Sequence, residues 1–153
     1  MKKYIYGFDL SMSCTGISIF SNDAKLVLVT SVDTKSEKLH QMKLKLIADK
    51  TIELKEKYPP SIIIIERGFY RFMASTETVF KVHGLCQYLF WDVEQIYYPP
   101  ATVKKCVGGK GNMTKEEIRD VVSTIYPAQE WKTDDESDAV SVALCYFYKE
   151  GKL

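Results

Sequence analysis

Histidine and cysteine are scarce: His40 and His83 stand alone, and Cys14, Cys86, Cys106 and Cys145 are scattered through 153 residues without a C-x-x-C pair. Zinc sites built from thiolate and imidazole are therefore excluded, and free thiols in a reducing cytoplasm are the reading. Long apolar runs are also missing. Ile62 to Ile65 is a run of four residues, where a membrane helix needs about 20. No export signal follows Lys2 and Lys3, because Asp9 interrupts the apolar stretch and no small-residue cleavage site comes after it. Repeats, linkers and low-complexity tracts are absent as well. The length suits one domain, expected over residues 1–153.

Net charge is only +1, but it averages over segments of opposite sign. Ala101 to Arg119 carries a local +3, whereas Ala128 to Leu153 carries −3, with Asp134, Asp135, Glu136 and Asp138 inside five positions. A basic strip beside an acidic knot suits a polyanion held near a cation.

The first third of the chain reads as three strands, Tyr4 to Leu10, Thr15 to Ser21 and Lys25 to Val32, whose short connections make neighbours antiparallel. Thr34-Lys-Ser-Glu37 has capping-box spacing and opens a long amphipathic helix that Pro59-Pro60 ends. Ser61 to Glu66 is a continuous β-branched run, expected to lie parallel to the first strand and to be covered on both faces. A helix at about Ser75 to Phe90 and a strand at Gln95 to Tyr98 follow. A capping box at Thr114 opens one further helix, and Thr133-Asp-Asp-Glu136 opens the last. The expected fold class is α/β: a mixed five-stranded sheet of order 3-2-1-4-5 with helices on both faces.

In that topology Asp9 and Glu66 end adjacent parallel strands at the carboxyl edge of the sheet, where open α/β sheets bind ligands. Two carboxylates interrupting apolar strands at one place imply a cation or a shared proton. Asp135 and Asp138 lie three apart at the start of the last helix and project from one face. Together the four form an all-oxygen set suited to Mg2+ or Mn2+, and to two such ions acting on a phosphodiester. Val103 to Lys115 supplies Lys104, Lys105, Lys110 and Lys115 for the polyanion, with Gly108, Gly109 and Gly111 letting backbone amides approach phosphate. Phe69, Tyr70 and Phe72 interleave with Arg67 and Arg71 immediately after Glu66, a pattern that stacks on unpaired bases.

GFDLSMSCTG, IIIIERGF, VKKCVGGKGNMTK and DESDAVSVAL, in this order, resemble the motifs of the RuvC-type Holliday-junction resolvases of the ribonuclease H-like superfamily, in the bacteriophage branch. The resemblance implies a three-layer ribonuclease H-like sandwich with Asp9, Glu66, Asp135 and Asp138 as catalytic metal ligands. It places Lys104 and Lys115 at the scissile region and Phe69 at the junction crossover. It further implies a Mg2+-dependent homodimer that nicks two strands of a four-way junction symmetrically, leaving 5′-phosphate and 3′-hydroxyl ends. Val79, Val82, Cys86 and Leu89 are the residues expected at the dimer interface. A host branch-migration motor remains open as a partner, and no membrane is involved. Three rivals are a non-cleaving module that binds branched DNA, a ribonuclease acting on RNA–DNA hybrids, and an actin-like phosphotransferase, which needs a second domain.

Overall fold

A computed structural model describes residues 1–68 and 73–153, with backbone alone for 73–75. The strands are β1 (Tyr4–Asp9), β2 (Cys14–Ser21), β3 (Leu26–Asp33), β4 (Pro60–Glu66) and β5 (Glu94–Tyr98). The helices are α1 (His40–Lys57), α2 (Met73–Leu89), α3 (Pro100–Gly108), α4 (Lys115–Ile125) and α5 (Asp134–Lys149). The sheet order is β3-β2-β1-β4-β5, with β1 antiparallel to β2 and parallel to β4, as the sequence pattern predicts.

Strand alternation sorts side chains into two cores. Tyr6, Phe8, Ile63 and Ile65 face α1 and α2, packing with Ile47, Leu54, Val82 and Phe90. Ile5, Phe20 and Ile64 face the other way, against Val103 and Val107 of α3, Ile118 and Val122 of α4, and Val140 to Phe147 of α5. The Tyr6 hydroxyl reaches the carbonyls of Leu54 (2.9 Å) and Tyr58 (2.7 Å), closing the carboxyl end of α1 onto β1.

Two expectations fail locally. Thr34 does not cap α1, which starts at His40 with Leu39 as an N-cap that lends no side chain. The Thr34 hydroxyl is instead buried and donates to the Met12 and Ser13 carbonyls, so its capacity is used by the loop after β1. The helix α3 is an addition, covering residues read from sequence as part of a phosphate-binding glycine loop. Pro100 pre-sets its first turn, and Gly109, at φ 85°, ends it in the left-handed conformation while its N–H donates to the Lys105 carbonyl. Gly108 is the last residue of α3, packed against the Met113 side chain. Gly108 and Gly109 therefore end a helix.

Over the sheet, α5 lies unusually close. A methyl on Gly16 would land on the Asp135 carbonyl, and one on Gly7 on the Ala139 carbonyl and the Ser18 hydroxyl. That hydroxyl donates to the Ala139 carbonyl at 2.8 Å and ties β2 to α5. In the T-G pair, Thr15 Oγ1 donates to the Ser11 carbonyl (2.7 Å) and accepts from its N–H (3.2 Å), holding the turn after Asp9. Gly16→Ala is expected to lower the stability by about 2–3 kcal/mol through overpacking against rigid backbone, read as a lower urea midpoint at unchanged slope.

Candidate active site

Phe8 and Ile65 are parallel partners, so Asp9 and Glu66 follow side by side at the carboxyl edge. By strand alternation both side chains emerge on the α5 face, in step with Ile5 and Ile64. There α5, held close by Gly7 and Gly16, presents Asp138. Asp9, Glu66 and Asp138 line one cleft of about 730 Å3, whose walls include Lys104 from α3 and Lys115 from α4.

The electrostatics show how near these groups stand. Burial, then the charges of Asp138, Glu66 and Asp135, hold the Asp9 carboxyl well above the ordinary carboxylate range. Burial followed by the charge of Asp138 raises Glu66 to about 7. Burial also raises Asp138, with Lys115 pulling the other way. Burial opposes the Lys115 ammonium, but Asp138, Asp9 and Asp135 outweigh it and raise its pKa. Lys115 Nζ is 3.3 Å from Asp138, which is 14% exposed against 66% for the lysine. The ammonium acts as the internal counter-charge of the cleft.

Not every expected ligand joins. Asp135 acts on Asp9 through its charge but is not part of the cleft wall. Its carboxylate lies beside the Cys14 thiol, whose pKa is pushed up to about 11 by burial and then by the hydrogen bond to Asp135. Asp134 is engaged by Arg119 at 2.7 Å. Glu136 is buried as a structural acceptor, taking the Ser31 hydroxyl (3.0 Å) and the Lys132 N–H (2.9 Å). Among the described residues no three carboxylate, imidazole or thiol groups gather as a ready-made metal cage. The two-ion cage expected from the four acidic residues is not seen as a preassembled group among the described residues. The donor chemistry still fits a hard cation: the acidic side chains are oxygen donors, half-buried and mutually repelling.

Among the basic residues, Arg67 lines the cleft beside Glu66, while Lys105 and Lys110 are exposed outside its wall. Phe69, Tyr70, Arg71 and Phe72 lie outside the described residues. The residues expected at a dimer interface divide between the core and the surface of α2. Val82 and Cys86 are buried in the core under α2, Leu89 packs against that core, and Val79 lines the acidic cleft. Apolar spacing alone had marked the inner face of this helix, not its outer one.

The family model for the crossover junction endodeoxyribonuclease RuvC matches residues 5–146. The chain belongs to the RuvC family. The RuvC of Christiangramia forsetii is 28% identical, over 99% of this chain and 82% of the relative, and that of Prochlorococcus marinus strain MIT 9312 is 28% identical, over 96% and 98%. T. thermophilus RuvC in complex with Holliday junction substrate superposes with a TM-score of 0.84 at 21% identity, covering 97% of this chain and 94% of that one. The Fowlpox virus resolvase, in complex with its substrate Holliday junction DNA, gives 0.62 at 18%, covering 95% and 99%. The sheet order is that of the RuvC and ribonuclease H-like fold.

A carboxyl whose pKa is higher folded than unfolded binds more protons in the native state, so stability falls as pH rises between the two values. For Glu66 that window runs from 4.5 to about 7. With a chelator present, the urea midpoint is expected to drop between pH 5 and pH 7.5, the Glu66 contribution being on the order of 3 kcal/mol. Glu66→Gln should flatten the drop, and millimolar Mn2+ should restore the wild-type midpoint at pH 7.5.

Proposed function

We propose that the chain is a divalent-cation-dependent endonuclease that resolves four-way DNA junctions as a homodimer, with the Asp9–Glu66–Asp138 cleft as its active site. Membership of the RuvC family makes it a nuclease and a hydrolase. The observation that carries the assignment of the site is the meeting of three half-buried carboxylates from β1, β4 and α5 with Lys104 and Lys115 in a single cleft. Binding of junction DNA is supported by the two similar structures that hold it.

Asp9, Glu66 and Asp138 would hold the cation, Mg2+ or Mn2+, with Asp135 completing the set from α5. When bound, such ions supply Lewis-acid charge and lower the pKa of water at the phosphodiester. The chain's own residues do the rest. Lys115, 3.3 Å from Asp138 at the cleft, would place its ammonium against the charge that develops on phosphate. Lys104 holds the strand on the opposite wall. Lys105, Lys110, Arg67 and Arg71 contact the flanking backbone, and Phe69 acts at the crossover. The products carry 5′-phosphate and 3′-hydroxyl ends.

The outward face of α2 supports the homodimer. Phe80 and Tyr88 are 57% and 75% exposed, Trp91, just past the end of the helix, is 79% exposed, and Gly84 sits between Phe80 and Tyr88 with nothing within 4 Å of the position of a side chain. A mid-helix glycine costs about 1 kcal/mol relative to alanine, and here it leaves room for close approach by a second helix. Paired cuts require the two-fold symmetry that such a contact generates. Cytoplasmic action belongs to the same reading; among the described residues no helix is long and apolar enough to cross a membrane. The bacteriophage branch rests on the sequence resemblance, while the RuvC relatives above are bacterial.

Incubation with an immobile four-way junction and Mg2+, mapping all four strands, should give ligatable nicks placed symmetrically in two opposing strands. Binding without nicking would favour a non-cleaving module, and preferred cutting of an RNA–DNA hybrid a ribonuclease. Asp9→Asn and Glu66→Gln should each lower the cleavage rate at least about 1,000-fold with junction affinity retained. Gly84→Leu and Tyr88→Glu should shift sedimentation from dimer to monomer and uncouple the paired nicks.

A further inference from the structure

The last two helices open on the same sequence pattern and use it differently. Thr114 and Glu117 close a local capping box at the start of α4. The Thr114 N–H donates to Glu117 Oε2 at 2.7 Å, the Glu117 N–H donates to Thr114 Oγ1 at 3.1 Å, and Glu117 is exposed. In α5 the Glu136 N–H still donates to Thr133 Oγ1, at 3.3 Å, but the Glu136 carboxyl is turned elsewhere. It is 2% exposed, and its oxygens accept the Lys132 N–H at 2.9 Å and, at 3.0 Å, the hydroxyl of Ser31, 105 residues away in β3. Capping alone is served by an exposed glutamate, as in α4, so burying this carboxyl against a distant strand needs another reason.

The sheet register supplies it. Asp9 pairs with Gly16 across β1 and β2, and Gly16 with Ser31 across β2 and β3, so the three stand in one row across the sheet. Directly paired residues of neighbouring strands share a face, here the one covered by α5. The first turn of α5 meets that row at three points: Glu136 at the Ser31 hydroxyl, the Asp135 carbonyl over Gly16, and Asp138 in the cleft with Asp9. The Gly16 contact sets how low the helix lies, but backbone resting on a glycine does not stop the helix from turning about its own axis. The Ser31–Glu136 bond does, because it lies off that axis, on the flank towards β3.

Glu136 and Asp138 are two residues apart, about 200° around the helix, and so occupy opposite flanks of α5. A roll that parts Glu136 from Ser31 therefore swings Asp138 relative to Asp9 and Glu66. With side-chain tips about 5–6 Å from the axis, a roll of about 15° moves them by about 1.5 Å, against a tolerance of about 0.2 Å in the distances of cation ligands. On the Asp138 flank the partners are Lys115, at 3.3 Å, and Arg119, which holds Asp134 at 2.7 Å. Both are long, partly exposed side chains that can follow a roll, whereas Ser31 is a short side chain on a paired strand.

We propose that Glu136 is a positioning residue for the cation site: its hold on Ser31 fixes the roll of α5 and so places Asp138, with Asp135 beside it, where the cation binds. This rests on the reading of the acidic cleft given above. Neither Glu136 nor Ser31 lines the cleft, so both act through the helix and not by contact with the ion.

Calorimetric titration of the DNA-free, full-length protein with Mn2+ at pH 7.5 is the test, with a urea midpoint recorded for every variant. Ser31→Ala and Glu136→Ala should each weaken Mn2+ binding about tenfold, and the double variant no more than Glu136→Ala alone, since both remove one linkage. Glu136→Gln should stay within about threefold of wild type, because its amide can accept the Lys132 N–H and donate to Ser31 Oγ. Ile47→Val, in the opposite core, should lower the urea midpoint with Mn2+ affinity unchanged, which separates lost stability from lost placement. Should Glu136→Ala fail to fold, Ser31→Ala carries the test. Wild-type affinity in Ser31→Ala, losses that multiply in the double variant, a loss in Glu136→Gln as large as in Glu136→Ala, or a comparable loss in Ile47→Val overturns the positioning role and leaves the cation site standing. Wild-type protein that binds no Mn2+ overturns the cation site and the positioning role with it.

Discussion

The height at which α5 rides over β1 and β2 governs everything at the carboxyl edge. Two glycines set it. Gly7 and Gly16 leave no side chain between sheet and helix, so the backbone carbonyls of Asp135 and Ala139 rest on the strands. The Ser18 hydroxyl then ties the helix down at Ala139. Asp138, one residue before Ala139, is carried into the cleft where Asp9 and Glu66 emerge. A sheet with side chains at either glycine would lift the helix, and its carboxylate would no longer share a cleft with the strand ends. The fold is maintained here for the sake of a contact that is electrostatically unfavourable on its own.

That unfavourable contact explains the charge arrangement around it. Burial and mutual repulsion raise the pKa values of Asp9, Glu66 and Asp138 together, and Lys115 partly compensates from α4. One ammonium offsets only part of the charge of several carboxylates. The same lysine lines the cleft together with Lys104.

Much of this was legible in the residues. The β-branched run Ser61 to Glu66 announced a covered parallel strand, and the interrupting Asp9 and Glu66 announced a site because buried charges need a reason. Sheet order followed from connection lengths. Other features were hidden by ambiguity in short signals. Thr34 satisfied a capping-box pattern but spends its hydroxyl on the Met12 and Ser13 carbonyls, a long-range contact that no local spacing reveals. The pattern Pro100 to Gly109 held a readable helix start and stop, yet glycines beside lysines read equally well as a phosphate loop. Asp134, Asp135, Glu136 and Asp138 look alike in sequence; helix rotation and neighbours alone separate an arginine partner, a thiol neighbour, a buried structural acceptor and a wall of the cleft. Val79, Val82, Cys86 and Leu89 give the apolar stripe of α2, whereas the aromatics opposite, Phe80 and Tyr88, with Trp91 just past the helix end, are recognisable as outward only once the helix is seated.

The central claim is that Asp9, Glu66 and Asp138 converge on a cation that relieves their repulsion. Calorimetric titration of the DNA-free protein with Mn2+, in pairs of buffers with different ionisation enthalpies, tests it most directly. The account predicts saturable binding with proton release near pH 6.5 that diminishes towards pH 8.5, and loss of both in the doubly substituted Asp9→Asn, Glu66→Gln protein. Equal Mn2+ binding by the doubly substituted protein, or binding without proton release near pH 6.5, would contradict it.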